Sequence, residues 1–514
     1  MACTYRSRSV TGCFSGGNMK LSKAQRLCLA VAGVGLAAPA IGVSTAAPAG
    51  AYSSYLTRAP YLTDRTSSTV KVNFATTAPI VKVRLKYGLS SGGSCSTTRA
   101  TAATTSRQGY TVTYPTSSGT ATSNVYQWKP QLSALTSGTY CYRLEGATST
   151  TSTSYVDLLD STVASPTFSM APADRFAVIG DWGQTGGSAP SYLNSGQANV
   201  ISRMASGGSD FAVSTGDIGY PGGTQSSYGD LQHTGRDVSA VFGPRYWPAA
   251  GKKLPMYPVP GNHGFTSTFT SMWPSTSVAA TSHGRASDGT HTVNGASVTT
   301  PDYWYAFNAH GWRIYILTAA WSDSSVSNPY AVDYKVHWAP GAAERTWLTN
   351  DLTANSATPK IVVMHYPMYS AVGSGDDGQD SYLTAPTDGS QSVEDLLATH
   401  NVKLLLNGHS HIYERNRPHH GMVSIISGGG GADLSPVDDA AGGRCAQTYP
   451  DTGGAVVAVA RGWSSNGGSA CNGAATPTSA AQVYHYVRVT LGSGTAKVEA
   501  INSAGTVFDT TTVS

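Results

Sequence analysis

The pattern of apolar residues changes near residue 170, and this change limits the possible folds of the chain. Between residues 50 and 165, apolar and polar residues alternate with a period of two, with turns between the runs. From Arg175 onward, short apolar runs alternate with segments of helical character. The first pattern is typical of a β-sandwich, and the second is typical of a layered α/β domain. With 514 residues, the chain is also too long for a single core.

The second region contains a regular series of predicted elements. Its predicted strands are 176–179, 211–213, 314–317, 360–364, 402–406 and 422–426, and its predicted helices are 192–206, 340–352 and 392–398. Two stretches rich in Gly, Ser and Thr, 266–300 and 428–480, are predicted to be surface loops. We therefore expect a sandwich domain over 50–168 and an α/β domain over 172–514, the latter ending in a C-terminal β segment.

The first 46 residues have the pattern of an export signal. Three basic residues follow Met19, an apolar stretch runs over 27–43, and small residues follow at 44–49. A membrane anchor is the alternative, but Gly and Pro inside the apolar stretch make it a weak spanning helix. A start at Met19, which would exclude residues 1–18, is also open. We expect a secreted protein, extracellular or periplasmic, without a membrane segment once the signal is removed.

The formal net charge of +4 does not indicate a nucleic-acid-binding protein. Residues 1–46 contain five basic residues and no acidic one, so the remaining chain is close to neutral. It also contains no run of Lys or Arg that would follow a phosphate backbone. Binding of nucleic acid through charge is therefore not expected.

Four cysteines follow the predicted signal, at Cys95, Cys141, Cys445 and Cys471. An even number of cysteines in an exported chain indicates two disulfides. Three pairings are possible. We favour the two local ones, Cys95–Cys141 and Cys445–Cys471.

Five polar blocks follow apolar runs of the second region. They are Gly180-Asp181-Trp182-Gly183, Gly216-Asp217-Ile218-Gly219-Tyr220, Gly261-Asn262-His263-Gly264, Val362-Val363-Met364-His365 and Gly408-His409-Ser410-His411. A single Gly-Asp pair is usually a turn, and a single His after a strand is usually structural. However, sites in open α/β sheets form at the carboxyl ends of strands, where all five blocks are expected to lie. The ordered set therefore predicts one shared site.

This ordered set resembles the metallophosphoesterase superfamily over about residues 175–415, and Tyr220 resembles the purple acid phosphatase branch. A β-sandwich before the catalytic domain is similar to the larger members of that family. Residues 132–143 resemble the late strand of a fibronectin type III domain, with a generic β-sandwich as the alternative. The resemblance implies an α/β fold, in which a layered catalytic domain, a mixed β-sandwich flanked by helices, follows an all-β sandwich domain.

The resemblance also implies two metal ions and their ligands. The ferric site would use Asp181, Asp217, Tyr220 and His411, and the divalent site, for Zn, Fe or Mn, would use Asp217, Asn262, His365 and His409. Asp217 would bridge the two ions. Anionic oxygen ligands suit Fe(III), whereas imidazole and amide ligands suit the divalent ions.

The same resemblance implies how the reaction proceeds. A metal-bound hydroxide would be the nucleophile, and His263 would position the phosphate and protonate the leaving group.

The sequence departs from this family in two places. Gly264 stands where the family usually has an acidic residue, and 371–378 contains no His where many members have a second substrate-facing one. This leaves a second acid or phosphate contact open, and Asp376 and Asp377 are interpreted as solvated loop residues. The remaining histidines are interpreted as structural: His233, His283, His291, His310, His337, His400, His419, His420 and His485.

We expect a secreted acid phosphatase with a binuclear metal site that hydrolyses small phosphate monoesters. A phosphodiesterase or nucleotide pyrophosphatase on the same metal site is the alternative among enzymes. The alternative of another class is a secreted binding module with a vestigial metal site. The oligomeric state is left open by the sequence.

Overall fold

The computed structural model describes residues 52–514 except 92–93, 117–118, 162, 185–193, 232–240, 244–246, 264–266, 294, 320–331, 373–380 and 387. The predicted export signal, Gly264, Asp376 and Asp377 lie outside the described residues. Within the described part of the chain, no helix has both the length and the apolar character that crossing a bilayer requires.

The strands of the described residues are β1 (Leu56–Thr63), β2 (Val70–Thr76), β3 (Lys82–Ser91), β4 (Ser94–Cys95), β5 (Arg99–Ala100), β6 (Gln108–Thr116), β7 (Gly119–Trp128), β8 (Gln131–Leu132), β9 (Thr139–Ala147), β10 (Val156–Asp157), β11 (Thr167–Ser169), β12 (Arg175–Ile179), β13 (Phe211–Ser214), β14 (Met256–Pro258), β15 (Arg285–Val293), β16 (Ala296–Ala309), β17 (Trp312–Ile316), β18 (Lys360–Val363), β19 (Val402–Asn407), β20 (Tyr413–Asn416), β21 (Val423–Ser427), β22 (Val457–Ser464), β23 (Gly467–Cys471), β24 (His485–Leu491), β25 (Ala496–Asn502) and β26 (Val507–Val513).

The α-helices are α1 (Ser195–Ser206), α2 (Gln225–Tyr228), α3 (Pro248–Gly251), α4 (Ser267–Met272), α5 (Thr276–Thr281), α6 (Ala343–Ala354) and α7 (Val393–Thr399). A π-helical turn covers Tyr334–Trp338, and short 3₁₀ turns cover Ser381–Leu383, Arg444–Ala446 and Ala480–Gln482.

Two sheets form the all-β region that precedes residue 170. One contains β1, β2, β6, β7 and β8, and the other contains β3, β4, β5, β9, β10 and β11. Leu62 and Phe74 of the first sheet belong to the same apolar core as Leu85 and Leu144 of the second. Residues two apart in a strand share a face, so the period-two pattern places apolar side chains between the sheets. The predicted all-β region is therefore confirmed, and its similarity to fibronectin type III domains stays a prediction.

The first of these sheets continues into the α/β region. β1 pairs in parallel with β14, with Thr63 opposite Met256. The resulting sheet has the order β26-β25-β24-β12-β13-β14-β1-β2-β7-β6. Buried Arg58 of β1 adds to this contact by donating to the carbonyl of Gly229 and to Oε1 of Gln225, each at 2.9 Å.

A second sheet covers the first one in the α/β region. Its order is β15-β16-β17-β18-β19-β21-β20-β22-β23, and β17, β18, β19 and β21 run in parallel. Val363 of this sheet shares a core with Val178 of β12, whereas the preceding Val362 shares another with Leu348 of α6. Two mixed sheets flanked by helices thus form the layers, and the predicted fold class is confirmed.

The two stretches predicted as surface loops are instead partly regular structure, and this prediction was wrong. Residues 266–300 contain α4, α5, β15 and the start of β16, and residues 428–480 contain β22 and β23. The largely polar strand β15 pairs with β16 along its length and lacks the run of large apolar residues that would have indicated a strand. The backbone N–H groups of Ser277 and Val278 in α5 donate to the carboxylate of Asp64, a contact between distant residues.

Both expected disulfides are present. Cys95 is bonded to Cys141, which joins β4 to β9, and Cys445 is bonded to Cys471. Disulfides of this kind persist in oxidising compartments, which is consistent with an extracellular protein.

Candidate metal centre

The five polar blocks lie at the carboxyl ends of neighbouring parallel strands. Asp181 and Asp217 come two and three residues after β12 and β13, and Asn262 comes four residues after β14. His365 and His409 each come two residues after β18 and β19 of the facing sheet. Because the two sheets pack against each other, their carboxyl edges bring the blocks to one place. The resulting cluster is called the candidate metal centre below.

One group of side chains in the centre surrounds the hydroxyl of Tyr220. This hydroxyl lies 3.0 Å from Oδ2 of Asp217, 3.0 Å from Nε2 of His411 and 3.5 Å from Oδ1 of Asp181. His411 Nε2 is also 3.6 Å from Oδ1 of Asp181. These are the four side chains predicted for the ferric site.

A second group surrounds the amide oxygen of Asn262. This Oδ1 lies 2.8 Å from Nε2 of His365 and 3.0 Å from Nδ1 of His409. His365 Nε2 is 3.4 Å from Oδ1 of Asp217. These are the four side chains predicted for the divalent site.

Asp217 belongs to both groups through different atoms. Its Oδ2 is near Tyr220 and its Oδ1 is near His365. The backbone N–H of His263 also donates to Oδ1 at 2.7 Å. The position of this carboxylate between two groups is the arrangement that a bridging ligand requires.

The backbone of the centre adopts conformations that most residues avoid. Asp181, Asp217 and His409 have φ angles of 55°, 49° and 68°, in the left-handed region. Each such residue costs about 1–3 kcal/mol, and this strain tends to occur at functional sites. Gly216, with φ 110°, lies so close to the ring of His365 that a Cβ atom would collide with it. Glycine is therefore required at position 216, where the ring of His365 approaches the backbone.

Backbone carbonyls fix the orientation of three imidazole rings. Nδ1 of His365 lies 2.8 Å from the carbonyl of Thr215, and Nδ1 of His411 lies 2.6 Å from that of Asp433. Nδ1 of His263 lies 2.6 Å from the carbonyl of Pro221. Such carbonyl contacts set the tautomer and direct the other nitrogen of a ligating His. Sequence reasoning missed these three carbonyls, since a backbone atom has no residue-type signal.

Burial affects the charge of the central groups. It raises the pKa of Asp217, and the nearby rings of His263 and His411 act in the opposite direction. It also lowers the pKa of His365 well below its usual range, and the His409 ring adds to this effect. Burial thus favours a neutral imidazole with a lone pair on Nε2, and it disfavours the charged carboxylate in the absence of a cation.

The donor atoms present fit bound metal ions. With Nδ1–H of His365 donated to Thr215, its Nε2 lone pair faces the oxygens of Asn262 and Asp217. A bound cation would stabilise electron-rich atoms that face one another at 2.8–3.4 Å. Ligand atoms of Asp181, Asp217 and His365 also lie within 4.8 Å of one another. The assignment of individual ligands to the two ions stays a prediction.

His263 lies beside the two groups rather than within them. Its ring stacks on the ring of Tyr220, with 4.6 Å between the centroids. With Nδ1–H donated to Pro221, Nε2 is the nitrogen that remains to exchange a proton with a ligand. Gly264, which stands where the family usually has an acidic residue, lies outside the described residues. Among the described residues, the carbonyl of Pro221 contacts Nδ1 of His263.

Comparisons with known proteins give matches to the fold and to one family. Residues 174–413 match the family model of calcineurin-like phosphoesterases. The purple acid phosphatase from yellow lupin (Lupinus luteus) seeds matches with a TM-score of 0.56 and 14% identity, over 90% of this chain and 74% of that chain. A dimetal phosphatase from Danio rerio has a TM-score of 0.36 and 14% identity, over 67% and 99%. A comparison with curated proteins gave no match. The similarity to the lupin enzyme concerns the fold alone.

Proposed function

We propose that the chain is a secreted acid phosphatase that hydrolyses phosphate monoesters. Two findings support this proposal: residues 174–413 match the family model of calcineurin-like phosphoesterases, and the fold is similar to that of a purple acid phosphatase. The observation that carries this proposal is the place of Asp217, whose two carboxylate oxygens face two different donor groups. Two cations held by these groups would supply positive charge to the phosphate oxygens and would make an attacking water more acidic. The two disulfides and the signal-like residues 1–46 support secretion.

The proposed metals are one Fe(III) and one divalent ion, Zn, Fe or Mn. Two carboxylates and a phenolate are hard anionic ligands, which suit Fe(III). Two imidazoles, an amide oxygen and a shared carboxylate suit the divalent ion. Tyr220 thus selects the metal of one site, while His365 and His409 select that of the other.

The proton of the leaving group is assigned to His263. Protonated at Nε2, this ring would donate to the ester oxygen as the bond to phosphorus breaks. Stacking on Tyr220 and the contact with Pro221 hold the ring in one orientation. In this assignment His263 protonates the leaving group, and the side chains of the two donor groups hold the metal ions that would bind the phosphate.

Substrate preference provides the experiment that tests this function. A monoester dianion carries one more negative charge than a diester and gains more from two cations. We expect kcat/KM for 4-nitrophenyl phosphate to exceed that for bis(4-nitrophenyl) phosphate by at least about tenfold, or about 1.4 kcal/mol. The opposite ratio would support a phosphodiesterase or nucleotide pyrophosphatase. Metal-free protein that hydrolyses neither ester would support a binding module with a vestigial site.

Tyr220→Phe is expected to remove the visible absorption of the iron-loaded protein. Phenolate bound to Fe(III) gives a charge-transfer band, and phenylalanine has no oxygen to supply it. The visible spectrum and the iron content of both proteins would be measured. Tyr366→Phe is the matched control, because its ring lies 4.6 Å from that of His409 and Tyr366 belongs to neither donor group. A colourless, iron-free and fully active parent protein would contradict the assignment, as would an unchanged spectrum in Tyr220→Phe.

A further inference from the structure

We propose that His419, His420 and Asp451 bind one divalent cation, preferably zinc, at a site distinct from the candidate metal centre. Ligand atoms of these three residues lie within 4.8 Å of one another. Nε2 of His419 is 2.9 Å from Oδ1 of Asp451, and Nε2 of His420 is 2.9 Å from Oδ2. Two imidazole nitrogens and a carboxylate are a common ligand set for zinc. None of the three residues belongs to the candidate metal centre.

The surroundings of His419 have the form found behind a ligating histidine. Its Nδ1 lies 2.7 Å from Oε1 of Glu394, a buried carboxylate on α7. The other oxygen of Glu394 accepts a hydrogen bond from Tyr369 at 2.9 Å. Ligating histidines commonly donate their second N–H to a carboxylate in this way. The contact with Glu394 therefore places the proton of His419 on Nδ1 and leaves Nε2 with its lone pair.

A second contact fixes the plane of the same ring. The ring of Tyr449 stacks on His419 with 3.9 Å between centroids and 2° between planes. The hydroxyl of Tyr449 in turn donates to the carbonyl of Arg417 at 2.7 Å. His419 is itself buried, so the surrounding chain holds it in one orientation. A ligand fixed in advance loses little entropy when the ion binds.

The charges in the cluster favour one cation over two protons. With Nδ1–H donated to Glu394, the Nε2 lone pair of His419 faces the carboxylate of Asp451. Protonating both histidines would place two positive rings 4.0 Å apart, and protonating His419 alone would set one positive charge against the two carboxylates Asp451 and Glu394. A single divalent cation accepts both lone pairs and neutralises the carboxylate instead. Two carboxylates, Asp451 and Glu394, then face two units of positive charge.

The geometry needs little adjustment to hold zinc. A tetrahedral ion about 2.0–2.1 Å from each ligand separates neighbouring ligand atoms by about 3.3 Å. The two 2.9 Å separations would therefore open by about 0.4 Å. The side chains of His420 and Asp451 are 42% and 46% exposed, so they can move and leave the fourth position to water.

The ion would connect two turns that are distant in sequence. His419 and His420 lie in the turn between β20 and β21, and Asp451 lies in the turn before β22. The second turn lies between the two cysteines of the Cys445–Cys471 disulfide. β20 begins two residues after His411, so the first turn ends the strand that leads away from the candidate metal centre. The cation would therefore hold the β20–β21 turn against the turn before β22, at the end of β20 that is farther from the candidate metal centre.

Zinc content of the full mature chain tests the proposal. The protein would be stripped with a chelator, reloaded with Zn²⁺, dialysed and assayed by elemental analysis. Asp451→Asn and His420→Ala are each expected to contain about one zinc per chain less than the parent. Asp439→Asn and His310→Ala, which change exposed residues of the same types, are expected to retain the content of the parent.

The same measurement in an Asp217→Ala background separates this site from the proposed function. There the candidate metal centre is disabled, and one zinc per chain is expected to remain and to be lost on adding Asp451→Asn. Equal zinc content with and without Asp451→Asn, in both backgrounds, would overturn the proposal and leave the cluster as an ion-pair network. That result would not affect the phosphatase proposal, which depends on kinetics at the other site.

Discussion

Asp217→Ala is expected to lose both ions of the candidate metal centre and to lower kcat/KM for a phosphate monoester at least about 10³-fold, or about 4 kcal/mol. The carboxylate of Asp217 is the one side chain shared by the two donor groups, through Oδ2 near Tyr220 and Oδ1 near His365. Removing it leaves each ion with three of its proposed protein ligands. It also removes the negative charge that offsets the repulsion between the two cations. The loss therefore exceeds that expected for a ligand of one ion.

The measurement combines elemental analysis with steady-state kinetics. Metal content would be compared in an Asp451→Asn background, so that a cation bound at His419 and His420 does not enter the count. Asp210→Ala is the matched control, because Asp210 precedes the same strand, β13, at its amino end, away from the centre. Circular dichroism would verify that both variants fold. Two ions retained in Asp217→Ala would refute the bridging role.

His263→Ala is expected to lower kcat/KM most for the esters whose leaving group is the strongest base. For an alkyl phosphate, whose alkoxide is a poor leaving group, we expect a loss in kcat/KM of about 10²–10⁴-fold. For 4-nitrophenyl phosphate the loss should be smaller, because nitrophenolate leaves without protonation. His263 is assigned this proton because the carbonyl of Pro221 accepts Nδ1–H and leaves Nε2 to exchange a proton with the leaving group.

Kinetics on a series of leaving groups would measure this difference. His283→Ala, which removes an exposed histidine outside both donor groups, should reproduce the parent rates for every ester. An equal loss for all leaving groups in His263→Ala would show that the ring only positions the phosphate. Retained metal content in that variant would show that the effect is not caused by loss of the ions.

Local rules predicted part of the meeting place of the proposed ligands. Apolar runs marked the strands, and parallel strands of one sheet end at a common edge, so Asp181 and Asp217 were expected to converge. His365 lies on the facing sheet, and its place beside them depends on the packing of the two sheets, which only the family resemblance implied. The same rules had no means of finding the carbonyls of Thr215 and Pro221, since every residue has a carbonyl. They also gave no signal for Asp451, which lies 31 positions from His420 and approaches it only in the folded chain.

Elements with weak apolar patterns were the ones missed. β15 pairs with β16 along its length, whereas its largely polar sequence is typical of a loop. The backbone N–H groups at the start of α5 donate to the carboxylate of Asp64, which lies more than 200 residues earlier in the chain. Such contacts depend on the tertiary structure, and no local pattern of residues encodes them.

The pairing of β1 with β14 has a consequence for shortened versions of the protein. A fragment that begins at residue 172 would lack β1, so β14 would lose the neighbouring strand that pairs with it at Met256. Exposed strand edges recruit strands from other molecules, which leads to aggregation. Because β14 also leads into Asn262, the damage would begin four residues from a proposed ligand. We therefore expect residues 172–514 to need the N-terminal β region in order to stay folded and dispersed.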